Sequence, residues 1–208
     1  MSGTVHVAIY DTLADWEPGY VTAGVNRPLM QREPGAWQVR TVGLGPEPVT
    51  TMGGLRLVPD LTLDELSPGD SAMLVLPGAD IWEGEQLLPF ARAAADFLAA
   101  GVPVAAICGA TFGLAKQGLL DARPHTSNAA EYLASTGYPG AAHYVDEPAV
   151  TDGDLITATG IAPIEFARHV FARLDLFEPE VLDAWYRLYA DRDPQGFYAL
   201  QARTEAPA

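Results

Sequence analysis

Cysteine is all but missing from this chain: Cys108 is the only one in 208 residues. A single thiol excludes an intramolecular disulfide, so the cysteine usage gives no sign of an oxidising compartment. Basic residues are scarce as well, with 12 Lys and Arg against 27 Asp and Glu and a net charge of −15. A surface of that sign repels phosphate backbones and offers no basic groove, so nucleic acid is excluded as an expected partner. No apolar run approaches the roughly 18 residues of a membrane span. Residues 2–10 are too short, and too broken by His6, for a signal peptide. These absences together predict a soluble cytoplasmic protein with no membrane partner.

Two further absences concern ligands. The glycines form none of the patterns that cradle phosphates, and His6, His143 and His169 are scattered without a second ligand at metal spacing. Neither a cofactor nor a metal is expected. Apolar residues, by contrast, make up 49% of the chain, ample for a core. With no internal repeat, linker or low-complexity segment, one domain over residues 1–208 is the expected organisation.

Residues 4–10, 37–43, 71–76 and 103–107 read as strands, the last a short apolar run of the kind a buried parallel strand shows. A helix starts near Pro18 and runs towards Met30, with Pro28 leaving its end open and Glu33-Pro34-Gly35 stopping the chain. Further helices are expected over residues 83–100, closed by Gly101, and after Cys108 with Phe112, Ala115 and Leu119 on one face. Others run through residues 131–133, over 161–174 and over 179–190. Residues 50–58 read as a hairpin about Gly53-Gly54, and 59–69 as a short helix capped by Asp60 or Thr62. Asp152-Gly153 reads as a hairpin turn, and residues 204–208 as a frayed tail. Strands alternating with helices of this length predict an α/β fold with a mainly parallel sheet covered on both faces.

The chain is organised around residues 104–120, where an apolar strand turns through Cys108-Gly109 into a helix. A residue at that turn stands at the C-terminal edge of the sheet, where open α/β folds place their sites. It also faces the positive end of a helix, which favours thiolate over thiol. Gly109 leaves room for a tight turn, and the whole has the geometry of a nucleophile elbow with cysteine in place of serine. By position alone, a free cysteine serving as a small core hydrophobe remains an equal reading. In a parallel sheet the loop at residues 11–17 and the loop Pro77-Gly78-Ala79-Asp80 share that edge. Residues 123–128 lie beyond the elbow helix.

Leu76-Pro77-Gly78-Ala79-Asp80, Ala106-Ile107-Cys108-Gly109-Ala110-Thr111, the turn at residues 118–123 with His125-Thr126-Ser127-Asn128, and residues 152–157 followed by Gly160 together resemble the ThiJ/PfpI superfamily. The resemblance covers roughly residues 4–175. It implies the flavodoxin-like, class I glutamine amidotransferase-like fold, whose members include intracellular proteases, glyoxalases, isonitrile hydratases and a redox protein. By that resemblance Cys108 is the elbow nucleophile, and its acidic partner is Glu17 or, alternatively, Asp15. Without the resemblance both acids read as solvated residues before a helix start. The loop Gly78-Ala79 and Gly109 would supply oxyanion donors, with Ala79 standing where many members carry a second glycine.

The base departs from the pattern: where several branches carry a histidine this chain has Asn128, and His125 lies three residues earlier. Asparagine cannot take a proton from a thiol. Either His125 reaches in, or the site has no Cys-His dyad. Glutamine amidotransfer itself is disfavoured, since His169 is followed by Val170-Phe171 rather than by His-x-Glu. The implied function is a cysteine-dependent hydrolase, lyase or hydratase acting on a small carbonyl or amide-like molecule. The alternative is a redox sensor that works through oxidation of Cys108. A homodimer is expected, because Leu182, Trp185 and Tyr189 supply one helix's inward stripe and leave Tyr186 and Phe197 over.

Overall fold

The computed structural model describes residues 3–205, with side chains to 203. Its strands are β1 (Gly3–Ala8), β2 (Trp37–Gly43), β3 (Val49–Thr50), β4 (Arg56–Leu57), β5 (Leu61–Thr62), β6 (Met73–Leu76), β7 (Val104–Ile107), β8 (Ala149–Asp152) and β9 (Leu155–Ala158). The helices are α1 (Gly19–Asn26), α2 (Leu88–Ala99), α3 (Gly109–Lys116), α4 (Ala130–Ala134), α5 (Pro163–Leu174), α6 (Pro179–Tyr189) and α7 (Pro194–Glu205). The main sheet has the order β5-β2-β1-β6-β7-β9-β8. Every neighbouring pair is parallel except β8 with β9, which form the hairpin signalled by Asp152-Gly153. The pair β3–β4 is the separate small hairpin. The fold is the α/β arrangement the sequence predicts.

Alternation along the central strands divides the interior into two cores. Leu74, Leu76, Val104 and Ala106 face one way, against Phe90, Ala94 and Phe97 of α2 and Leu114 of α3. Met73, Val75, Ala105 and Ile107 face the other way, against Val21 and Val25 of α1 and Phe166, Val170 and Phe171 of α5. A strand buried on both faces can carry an unbroken apolar run, which is why β6 and β7 show one. From β1 the chain builds outward to β2 and β5, then crosses back to β6 on β1's other side. That reversal opens a crevice at the C-terminal ends of β1 and β6.

Several boundaries depart from the sequence reading, each for a local reason. The helix α1 stops at Asn26, two residues before Pro28, and the Asn26 side chain caps the Val39 N–H. Residues 59–69 form edge strand β5 and two short 3₁₀ turns instead of one helix, with Thr62 and Glu65 closing a capping box. The long helix begins at Leu88, because Asp80–Glu83 make a 3₁₀ turn of their own. The elbow helix ends at Lys116, with Gly118 at φ 77°, so Leu119 falls outside its face.

The last departure is α7. Asp193 accepts the Gln195 N–H at 2.9 Å ahead of Pro194, a helix start that the sequence carries. This helix folds back on α6, burying Leu200, and a Cβ on Gly196 would stand 2.5 Å from the Ala184 carbonyl oxygen. Thr204 and Glu205 continue α7 rather than fray, and residues 206–208 lie outside the described ones. The buried residues of α6 are Val181 and Ala184; Leu182 and Trp185 pack partly buried against the same core as the stripe requires, while Tyr189 is exposed with its ring against Tyr20 and Trp185. Tyr186 is not left over: the Arg168 guanidinium lies 4.2 Å from its ring centre and its hydroxyl donates to Glu165.

Packing between α3 and the turn after β6 fixes the crevice wall. Trp82 is fully buried, donates from Nε1 to the Pro77 carbonyl at 2.9 Å, and lies flat over α3. A Cβ on Gly113 would meet its ring at 2.3 Å. Gly113→Val should therefore destabilise the fold by about 2 kcal/mol through overpacking, read as a lower urea midpoint at unchanged slope. An unchanged midpoint would show that Trp82 is not held against α3.

Candidate active site

The ends of four parallel strands meet at the crevice: residues 9–18 after β1, Pro77 to Ala79 after β6, Cys108 after β7, and Thr159-Gly160 after β9. Cys108 adopts φ 59°, ψ −127°, a conformation that costs a residue with a side chain roughly 1–3 kcal/mol. Its surroundings hold it there. The Cys108 N–H donates to Ala158 O at 3.0 Å, and its carbonyl accepts from Thr111 Oγ1 at 2.6 Å. The Thr111 hydroxyl is itself paired with Ser127 Oγ at 2.6 Å, and both side chains are buried.

Glu17 lies against Cys108 and is completely buried. Its Oε2 accepts the Gly78 N–H at 2.5 Å, while Oε1 has no N–H or O–H partner among the described residues. Two glycines close the space around the pair. A Cβ on Gly78 would fall 2.7 Å from Cys108 Cβ and 2.8 Å from Glu17 Oε2. A Cβ on Gly160 would fall 2.7 Å from Cys108 Sγ and 3.1 Å from Glu17 Oε1. No larger residue fits at either position without displacing the sulfur or the carboxyl group.

Asn128 completes the contacts of the sulfur. Its Nδ2 donates to Sγ at 3.3 Å, and its Oδ1 accepts the Gly160 N–H at 2.9 Å. The Gly160 carbonyl in turn accepts from Trp16 Nε1 at 3.0 Å. The Gly109 N–H also bonds the sulfur. The Ala79 N–H finds no acceptor among the described residues. Ala79 is extended, with φ −158°, so the conformation there needs no glycine.

Burial dominates the protonation of the pair. It raises the Glu17 carboxyl from its ordinary 4.5 to about 7, against the opposing bonds from Gly78 and Cys108. Burial, then the charge of Glu17, raises the Cys108 thiol to about 11, and the Asn128 and Gly109 donors offset only part of that. Burial of the sulfur thus works against the pull of the helix end towards thiolate. The two groups titrate as a unit: the first proton leaves near pH 7 and the second only at high pH.

Two sequence candidates, Asp15 and His125, lie elsewhere. Asp15 accepts from Thr51 Oγ1 and the Gly53 N–H, each at 2.6 Å, and ties the β3–β4 hairpin to the loop after β1. Those bonds hold its carboxyl below the ordinary range. His125 is buried with both ring nitrogens engaged, Nδ1 with Arg123 O at 2.8 Å and Nε2 with Tyr138 OH at 2.9 Å. Its ring packs edge-on against Tyr138 and Tyr144, so it is a core residue and does not reach in as the base. Gly78 spends its N–H on Glu17 and Gly109 turns its N–H to the sulfur, so of the three expected oxyanion donors the Ala79 N–H is the one without an acceptor among the described residues. Gly160 and Trp16 were missed as site residues. The rule that gathers loops at the strand ends reaches Gly160 too, once β9 is seen to be parallel to β7.

Residues 3–173 match the model of the DJ-1/PfpI family. The chain is 40% identical over 199 residues to the uncharacterized protease YoaZ of Bacillus subtilis (strain 168), covering 94% of this chain and 95% of that protein. It is 37% identical over 194 residues to the uncharacterized protease YdeA of the same organism, covering 91% and 90%. Among solved structures, a thiJ/pfpI family protein from Bacillus anthracis superposes with a TM-score of 0.91 at 40% identity, over 97% of each chain. The DJ-1 superfamily protein Atu0886 from Agrobacterium tumefaciens gives 0.81 at 34% identity, over 92% of this chain and all of that one.

A carboxyl group raised from 4.5 to about 7 by folding favours the folded state below pH 4.5, and that contribution is lost as pH rises through 7. Relative to Glu17→Gln, the native chain should therefore lose about 3 kcal/mol of stability between pH 4.5 and pH 8. Urea unfolding of both proteins at the two pH values measures the difference. A gap between them that does not change with pH would refute the raised carboxyl.

Proposed function

The chain belongs to the DJ-1/PfpI family, and from that premise we propose that it is a single-domain, cysteine-dependent enzyme acting on a small carbonyl or amide-like substrate, as a hydrolase, lyase or hydratase. The observation that carries the reading is the strained Cys108 with the fully buried Glu17 carboxyl against its sulfur. A buried carboxyl with a raised pKa beside a nucleophile in a crevice is suited to proton transfer. The protease names of the two Bacillus subtilis relatives support the hydrolase class.

In this reading Glu17 takes the Cys108 proton as Sγ bonds to the carbonyl carbon and the carbonyl electron pair moves onto oxygen. The Ala79 N–H meets the charge that develops there. The proton held on Glu17 then goes to the oxygen or to the leaving group, which restores the carboxylate. A carboxyl with a pKa near 7 exchanges its proton readily in both directions at neutral pH.

The same carboxyl supports a second reading, redox sensing. A protonated Glu17 would donate to a Cys108 sulfinate after peroxide oxidation. Cys108→Ala should lower turnover of small aldehydes or activated esters at least a thousandfold. Turnover that persists in Cys108→Ala would overturn the enzyme reading. A stable gain of two oxygens on Cys108 after mild peroxide, seen by intact mass with no turnover in the native chain, would favour the sensor.

The protein is further read as a cytoplasmic homodimer. Phe197 and Tyr198 are 52% and 59% exposed and their rings lie together on α7, an apolar face that supports self-association. Sedimentation should give twice the chain mass of 22.2 kDa, falling to the single mass in Phe197→Asp with Tyr198→Asp. A single mass for the native chain would refute the dimer.

A further inference from the structure

We infer that the Asn128 amide is held in one orientation, so that its NH₂ group always faces the Cys108 sulfur and stabilises the thiolate where no cation stands beside it. The inference rests on the reading of Cys108 as the reacting atom and deepens it.

The orientation follows from donor and acceptor chemistry. The Gly160 N–H is a donor and can be met only by the carbonyl oxygen of an amide, so Oδ1 takes it at 2.9 Å. Nδ2 is then turned to Sγ, at 3.3 Å. A flipped amide would set NH₂ against N–H and an oxygen against the sulfur, losing both contacts. Gly160 cannot drift to allow this. Its carbonyl is held by Trp16 Nε1 at 3.0 Å, and its α-carbon is already so close that an added Cβ would touch Sγ.

The backbone that carries Asn128 is pinned as firmly. The Thr126 N–H donates to Thr157 Oγ1 at 2.9 Å and its hydroxyl donates to Glu147 O at 2.8 Å. Ser127 Oγ is paired with Thr111, whose own hydroxyl holds the Cys108 carbonyl. His125, at the head of the segment, is locked by Tyr138 and Arg123. The segment 125–128 thus delivers a neutral donor to the sulfur from one side, while the Gly109 N–H bonds it from the helix side. The titratable group against the sulfur is Glu17 from the loop after β1, and the charge of Cys108 is felt more remotely by Tyr10 of that loop and Tyr132 of α4. None is a cation, so neutral donors alone favour the anion.

The test is alkylation of Cys108 by iodoacetamide in the full-length chain from pH 6 to pH 11, which needs no substrate and reads the thiolate directly. Asn128→Asp keeps an oxygen for the Gly160 N–H but replaces the donor by a carboxylate. Asn128→Leu removes both bonds. The added charge of Asn128→Asp raises the thiol by itself, so Asn128→Leu, which adds none, separates the readings: a merely structural role leaves the alkylation profile of the folded Asn128→Leu chain native-like. The inference requires both to move the alkylation profile to higher pH, with the rate at pH 8 down about tenfold in Asn128→Leu and further in Asn128→Asp. Profiles of both variants that coincide with the native profile overturn it, as does a native-like profile for Asn128→Leu alone. Should Asn128→Leu fail to fold, as judged by far-ultraviolet circular dichroism, Asn128→Ser decides, since it offers a hydroxyl too short to bridge Gly160 and Sγ. Failure of the proposed enzyme activity leaves these profiles unaffected, so the two outcomes are separable.

Discussion

Everything in this structure is arranged about one crowded contact, the Cys108 sulfur against the Glu17 carboxyl group in a space walled by Gly78 and Gly160. Neither wall tolerates a Cβ, so the chain has to bring two glycines, from the ends of β6 and β9, to within van der Waals reach of a side chain at the end of β7. Only a parallel sheet with its strand ends on one edge brings those three turns and the loop after β1 together. The positive φ of Cys108 is part of the same constraint, because an ordinary helical entry would not stand the side chain in the gap between β6 and β9. Local strain of this kind persists only where the surroundings over-determine it. Here the Ala158 carbonyl, the Thr111 hydroxyl and the Trp82 indole over the first turns of α3 do so.

The electrostatic consequence runs against the simplest expectation for a cysteine at a helix start. Water is excluded from both acidic groups, so both pKa values rise; the charge of Glu17 raises the thiol further, while the bond from Cys108 works against the rise of the carboxyl. At neutral pH the pair shares at most one negative charge. A carboxyl near 7 beside a thiol near 11 places that charge first on Glu17. The sulfur therefore becomes anionic only as its proton moves across to the carboxylate. Reactivity in such a pair is set less by the resting pKa of the thiol than by the ease of that internal transfer.

Much of this was legible in the chain itself. Apolar strands of four or five residues, the Asp152-Gly153 turn and the elbow at Cys108-Gly109 are local signals, and local signals fix β6, β7, β9 and α3. Glu17 was separable from Asp15 only through resemblance, since both are acids in one loop and the difference between them is burial. The Asp15 carboxyl is spent on Thr51 and Gly53 of a hairpin 36 and 38 residues away, which no periodicity reveals. His125 misled for the converse reason. A histidine in a Pro-containing loop reads as surface, yet the two tyrosines that bury it come from residues 138 and 144. The start of helix α7 is written in Asp193-Pro194, but its outward aromatic residues Phe197 and Tyr198 blur the apolar stripe that would mark its length. Its helical periodicity is weak.

The donors around the sulfur explain why so much hydrogen bonding is invested in holding this crevice rigid. A lysine or histidine next to a cysteine stabilises a thiolate through a charge, whose field reaches several ångströms and tolerates misplacement. Cys108 is served instead by an amide NH₂ and a backbone N–H. A dipole's effect falls away faster with distance and reverses with orientation, so a donor turned by half a rotation becomes a liability. Neutral stabilisation works only if each donor is fixed before the charge appears. Trp16 on the Gly160 carbonyl, Thr157 on the Thr126 N–H, Thr111 on Ser127 and Trp82 on Pro77 each remove one freedom from the groups that face the sulfur. The loss of a basic histidine from the pattern and the dense locking of residues 125–128 are thus two sides of one solution. Without a cation beside the sulfur, geometry has to supply what charge does not.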